Sequence, residues 1–260
     1  MKYIVLIMWY FLVPIFLTGQ DWPGLNRYKE DNARLDMPKV SENRIVFMGN
    51  SITESWSSLH PEFFSGKSYI NRGISGQTTP QMLVRFRADV IDLQPKAVVI
   101  LAGTNDIAGN TGPATIKMIA DNIISMAELA RENNILVIIS SVLPVYDYPW
   151  EPGLEPVTKI SRLNEIIKNY AIKHGHTYLD YYTAMVNDQK GLKKEYTYDG
   201  VHPNKAGYTI MATLAEQAIA NTLDYADLKK IDGTKQRLLH YFTALLFTVQ
   251  SSRESMLPCI

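Results

Sequence analysis

Ser51 stands in the run GNSITESW (49–56), directly behind the apolar run RIVF and ahead of a stretch that reads as a helix. A serine hydroxyl becomes a useful nucleophile only when a general base within hydrogen-bond reach takes its proton and a third group orients that base. Of the five histidines, His60, His174, His176, His202 and His240, only His202 lies in a setting suited to that work. In YDGVHPNKAG (198–207) Asp199 precedes it by three residues, and Pro203 keeps the loop out of helix until Asn204 can cap the next one. A D-x-x-H turn lets the carboxylate reach the far imidazole nitrogen, which fixes the tautomer and stabilises the imidazolium that forms. Taken alone D-x-x-H is a weak pattern, and an ordinary solvated loop pair fits it too.

Acyl transfer also needs donors aimed at a developing oxyanion. Three are available. They are the backbone N–H of Ser51, the backbone N–H of Gly73 in NRGISG, and the side-chain amide of Asn105 in AGTND. Glycine at 73 lets the main chain come close to a ligand. GTND also fits a plain turn with a helix cap.

The elements that must position these groups alternate. RIVFMG (44–49), SYIN (68–71), KAVVILAG (96–103), ILVIISSV (135–142) and TYLD (177–180) read as short buried strands. Between them lie helical patterns. TTPQMLVRFRADVIDL offers Thr79 as a possible N-cap with Pro80 at the first helical position, then Leu83, Phe86, Val90 and Leu93 at helical spacing. GPATIKMIADNIISMAELARENN starts from Pro113 and carries Ile116, Ile119, Ile123 and Met126 on one face. VTKISRLNEIIKNYAIKHG stops at Gly175, and NKAGYTIMATLAEQAIANTL closes the series. Strands alternating with crossover helices imply a three-layer α/β/α domain with a parallel sheet, whose ligands bind at the carboxyl ends of the strands. That edge is where GNS, NRGISGQTT and GTND fall. The long loop PVYDYPWEPGLEP (144–156) follows the fourth strand, and its Tyr146, Tyr148 and Trp150 either line a substrate cleft or form a rigid loop with half-buried rings.

The 260 residues carry 26 basic and 26 acidic side chains, and no basic face suggests a nucleic-acid partner. Cys259 is the only cysteine, so an intramolecular disulfide, a cysteine metal cluster and a thiol nucleophile in the core are not expected. GKS at 66–68 lacks the glycine a phosphate-binding loop requires, Pro61 standing in its place, and HGH (174–176) reads as surface histidines at a helix end. MKYIVLIMWYFLVPIFLTGQ has the positive start, apolar run and small-residue end of a signal peptide, with a cut after Gly19. The expected organisation is a signal peptide over 1–19, a polar lead-in over 20–43, the α/β domain over 44–228 and a tail over 229–260. LLHYFTALLFTV (238–249) in that tail is too short to span a bilayer, and reads as an extra helix on the domain or a poorly ordered end. The mature protein is therefore expected outside the cytoplasm, without a stable membrane span.

FMGNSITE, NRGISGQTT, LAGTND and DGVHPN together resemble, in order and spacing, the conserved blocks of the SGNH hydrolases, or GDSL-type esterases, over residues 44 to about 223. The resemblance implies a flavodoxin-like sandwich with a five-stranded parallel sheet. It implies Ser51 as nucleophile, His202 as general base and Asp199 as its orienting acid, with Ser51, Gly73 and Asn105 as oxyanion donors and no metal or organic cofactor. The usual G-D-S is here G-N-S, with Asn50 at the variable place. The implied activity is ester hydrolysis through an acyl-serine. Export and the aromatic loop point to short acyl groups, acetyl above all, on a glycan or another small ester. The alternatives are a lysophospholipase or platelet-activating-factor-acetylhydrolase-like lipid esterase, and a non-catalytic carbohydrate-binding domain on the same scaffold.

Overall fold

A computed structural model describes residues 21–254, with side chains through residue 229 and at 231. The expected signal peptide (1–19) and Cys259 lie outside the described residues. In chain order the elements are α1 (Lys29–Ala33), β1 (Ile45–Gly49), α2 (Ser51–Leu59), β2 (Tyr69–Gly73), α3 (Thr79–Asp89), β3 (Ala97–Leu101), α4 (Thr104–Ile107), α5 (Ile116–Glu132), β4 (Leu136–Ser140), α6 (Pro156–His174), β5 (Thr177–Leu179), α7 (Tyr181–Met185) and α8 (Lys205–Glu254). The five strands form one parallel sheet in the order β2-β1-β3-β4-β5.

β1 and β3 are buried along their whole length, because helices cover both faces of the sheet. Alternate residues therefore feed two separate cores. Val46, Met48, Val98, Ile100, Val137 and Ile139 pack with Met82 and Phe86 of α3, Ile119 and Ile123 of α5, and Leu163 of α6. Ile45, Phe47, Val99, Leu101 and Ile138 pack with Ile52 and Trp56 of α2, Tyr181 of α7, and Tyr208 and Met211 of α8. Trp56 stacks on Phe63 at 4.5 Å between ring centroids and meets Phe47 edge-on at 5.7 Å. These contacts fix the roll of α2, and with it the direction of its first residue, Ser51.

Several boundaries depart from the sequence reading for identifiable reasons. The N-cap of α3 is Thr78 rather than Thr79. Thr78 and Gln81 form a capping box, and the Thr79 hydroxyl is drawn instead to Asp106, 2.6 Å away. α5 begins at Ile116, where the Thr115 side chain accepts from Met118 N, rather than at Pro113. β2 runs to Gly73, in register with Gly49 of β1, so Gly73 ends a strand instead of sitting in the following loop. α6 stops at Gly175, whose φ of +69° suits glycine. The backbone of α8 continues unbroken to Glu254, so the stretch 238–249 is more of the same helix and not an additional one. Among the described residues no helix is long and apolar enough to cross a membrane.

The lead-in is a strap bound to the domain. Tyr28 donates its hydroxyl to Gly73 O, and Gln77 and Gln81 donate to Pro23 O and Trp22 O at 2.6 and 2.7 Å. Arg72 donates to Asn32 Oδ1 at 2.7 Å and lies 4.6 Å from the centroid of the Tyr28 ring.

Candidate active site

β1, β2 and β3 end side by side, and the turns behind them converge on Ser51. Ser51 is the first residue of α2, and the preceding Asn50 caps the helix by accepting from Ile52 N at 3.0 Å. Capping needs one side-chain oxygen, which asparagine supplies as well as aspartate, and this accounts for G-N-S at this turn. The N-terminal position also sets Ser51 at the positive end of the helix dipole.

Ser51 Oγ lies 3.1 Å from His202 Nε2, although 151 residues separate the two. On the far side of the ring, His202 Nδ1 lies 2.7 Å from Asp199 Oδ2. An ionised carboxylate only accepts, so the ring proton belongs on Nδ1 and Nε2 is left to accept from Ser51. Asp199 is itself held by its other oxygen, which accepts from His202 N at 2.8 Å and Val201 N at 2.9 Å. Thr197 locks the loop, accepting from Gly200 N and donating its hydroxyl to His202 O at 2.7 Å. Burial pushes the Asp199 carboxyl up, but the hydrogen bonds from His202 and Val201 outweigh it and hold the group below its usual range.

Asn105 is buried in α4, and its amide donates to Gln77 O at 2.9 Å, which turns the side chain toward the same edge. Its neighbour Asp106 accepts from Thr79 N and the Thr79 hydroxyl. Burial raises the Asp106 carboxyl, and the Thr79 hydrogen bonds act against it.

Gly73 does not fit the donor role expected of it. Its N–H donates to Asn71 Oδ1 at 2.8 Å, and it packs so tightly under α2 that a Cβ would lie 2.1 Å from Glu54 N. Glycine is needed there for close packing of strand on helix. Three residues on, Gly76 is exposed at φ +75°, its carbonyl held by Asn110 Nδ2 at 3.2 Å. Among the described residues its N–H has no partner. The turn between them is pinned by Glu54, which accepts from the Ser75 N–H at 2.9 Å and from the Ser75 hydroxyl and is paired with Arg27.

The aromatic loop divides. Trp150 is exposed and its ring stands 6.0 Å from that of His202, while Tyr146 is exposed beside Asp199. Tyr148 lines no cleft. It is fully buried, its hydroxyl shared between Thr104 O at 2.9 Å and Thr104 Oγ1 at 3.0 Å, and burial pushes its phenol up to about 12. From the core its ring meets Trp150 at 5.3 Å, so it anchors the residue that reaches the site.

Arg85 was not singled out by sequence. It is fully buried and donates to Asp89 at 2.8 Å, Gln77 Oε1 at 2.5 Å, Gly49 O at 3.0 Å and Arg72 O at 2.9 Å. One guanidinium thus ties the end of β1, just before Asn50 and Ser51, to β2 and to the turn that orients Asn105. The sequence signal was present: Arg85 and Asp89 fall at i and i+4 beside Met82 and Phe86, on the apolar face of α3. Among the described residues no group of three or more His, Cys, Asp or Glu side chains is placed to hold a metal ion.

Residues 47–210 match the model of the GDSL-like lipase/acylhydrolase family. A presumed acylhydrolase of Bacteroides fragilis has 49% sequence identity and a TM-score of 0.77, the match covering 78% of this chain and 99% of that one. A GDSL-like lipase of Bacteroides thetaiotaomicron has 48% identity and a TM-score of 0.75, over 77% and 98% of the two chains. The lipoprotein YqeF of Bacillus subtilis is 36% identical over 81 residues, so the match spans 30% of this chain and only 33% of that protein. The parallel α/β fold, the four motif blocks at its carboxyl edge and the match over most of the domain agree: the chain belongs to the GDSL-like lipase/acylhydrolase family, a family of carboxylic ester hydrolases.

Proposed function

We propose that this chain is an exported serine esterase that removes short acyl groups, acetyl above all, from sugar hydroxyls. The observation that carries the reading is the continuous hydrogen-bonded chain from Ser51 through His202 to Asp199, at 3.1 and 2.7 Å. His202 Nε2 takes the Ser51 proton as Oγ bonds to the ester carbonyl carbon. The carbonyl oxygen becomes an oxyanion, facing the Ser51 N–H, the Asn105 amide and, in place of Gly73, the Gly76 N–H. As the tetrahedral centre collapses, the C–O bond to the alcohol breaks and His202 returns its proton to the leaving oxygen. Water, deprotonated by His202, then attacks the acyl-serine, and Ser51 leaves with the proton. Asp199 stabilises the imidazolium in both halves without taking the proton.

Exposed rings support the sugar reading, since Tyr146, Trp150 and Tyr198 all face solvent around His202 and Asp199. Export is supported by the pattern of the first 19 residues and by the lipoprotein among the relatives. The test is hydrolysis of p-nitrophenyl acetate, butyrate and octanoate by the mature protein and by Ser51→Ala. Acetate should be the best substrate, and Ser51→Ala should lower its turnover about 10⁴-fold or more. A preference for octanoate would overturn the short-acyl reading in favour of a lipid esterase. A wild type as inert as Ser51→Ala on every ester would leave a binding module.

A further inference from the structure

Against Asp199, whose carboxylate holds His202, lies a concavity of about 490 Å³, walled by Tyr146, Asp147, Leu192, Lys194, Tyr198 and Gly200. We propose that this cavity is a subsite for a further sugar ring of an oligosaccharide, next to the sugar whose ester is cut. The proposal rests on the reading of the chain as a carbohydrate esterase and adds to it that the substrate is a chain of sugars.

Position is the first argument. Asp199 belongs to both sites: its carboxylate holds His202, and the residue forms part of the cavity wall. Through Asp199 the cavity adjoins His202, so it offers room for a sugar next to one whose ester lies over Ser51. The volume falls within the range of small-ligand pockets and exceeds what one ring needs.

The lining is the second argument. Tyr146 and Tyr198 are 63% and 65% exposed, and among the described residues neither ring is stacked on another. A phenol ring offers an apolar face with a polar tip, which suits the C–H face and rim hydroxyls of a pyranose. Lys194 is exposed and unpaired among the described residues, leaving its ammonium free to donate to a sugar hydroxyl. A fatty acyl chain would have to desolvate that ammonium together with Asp147 and Asp199, and a lipid phosphate would face the two carboxylates.

The walls are built in advance, which is the third argument. Tyr146 sits directly on Gly191, where a Cβ would lie 2.9 Å from the Tyr146 Cβ. Asn187 folds the turn beneath it, accepting from Gln189 N and Gly191 N and donating to Leu192 O at 3.1 Å. Asp147 fixes the facing loop by accepting from Tyr148 N at 2.9 Å and Gly153 N at 3.1 Å. A preformed pocket binds with little ordering loss.

The experiment compares kcat/KM on O-acetylated tetrasaccharides and on the acetylated monosaccharides of the same series, for xylose, mannose and N-acetylglucosamine, with p-nitrophenyl acetate as a substrate that cannot reach the cavity. In at least one series the tetrasaccharide should be preferred about tenfold, mainly through KM. Tyr146→Ala and Tyr198→Ala, both at exposed positions, should each remove most of that preference. Turnover of p-nitrophenyl acetate with no tetrasaccharide preference in any series, or a preference that survives both substitutions, would overturn the subsite and leave the esterase standing. No turnover of any ester would bring down the esterase reading, and the subsite with it.

Discussion

Asp199 keeps its charge because two backbone N–H groups and the imidazole converge on it, more than offsetting its partial burial. Its native pKa lies below the unfolded value of about 3.9. The stability it contributes is therefore complete above that unfolded value and is lost as the pH falls through the depressed native one. Asp199→Asn should lower the thermal midpoint by a constant gap above about pH 4, and that gap should close as the pH drops toward 2. The same substitution should cut kcat on p-nitrophenyl acetate by about 10⁴-fold, since asparagine can favour the wrong tautomer. Melting curves and rates across pH check both. At this scale the sequence named Ser51, Asp199, His202 and Asn105 from residue type and spacing, and the structure brings the first three into one hydrogen-bonded chain. It could not show that Asn71 turns its side chain back onto Gly73 N–H, or that Tyr148 points inward while Trp150 points out. Those choices depend on which polar neighbour is within reach, and hydropathy is blind to that.

α3 matters to the site more than its distance from Ser51 suggests. Through Arg85 it holds the last carbonyl of β1, a carbonyl of β2 and the Gln77 side chain. Arg85→Met should destabilise the fold by about 3–5 kcal/mol, because Asp89 is left as a buried charge without its partner. Adding Asp89→Asn removes that charge and should recover part of the thermal stability. It restores no donor to Gly49, Arg72 or Gln77, so kcat on p-nitrophenyl acetate should stay about 10- to 100-fold down. Full recovery of kcat in the double variant would make Arg85 a packing residue only. The helices and strands themselves were legible because apolar runs and 3.6-residue spacing record burial directly. Their ends were less so. Two adjacent threonines compete to cap α3, and the tie is broken by Asp106, 27 residues away, which draws Thr79.

The molecule is one sheet whose useful edge is assembled from distant parts of the chain. The strap over residues 21–34 is polar and reads as a loose lead-in, yet it donates to and accepts from the turns around Gly73 and Gln77. Its partners are largely backbone carbonyls and single polar side chains, which leave no periodic mark in a sequence. The parallel sheet, by contrast, follows from alternation, since parallel strands require crossover helices. The separation of Ser51 from His202 by 151 residues has a kinetic consequence. A nucleophile at the start of the domain meets its base only when the start of α8 has docked against α2, where Tyr208 stacks on Trp56 and donates to Ile52 O, so loop closure must be nearly complete before any turnover. Diluted from denaturant, the chain should regain helical circular dichroism first and esterase activity only with its slowest phase. Stopped-flow recordings of both signals would expose the order, and activity returning together with the earliest helical signal would contradict it. Turnover would then serve as a clock for the last step of folding.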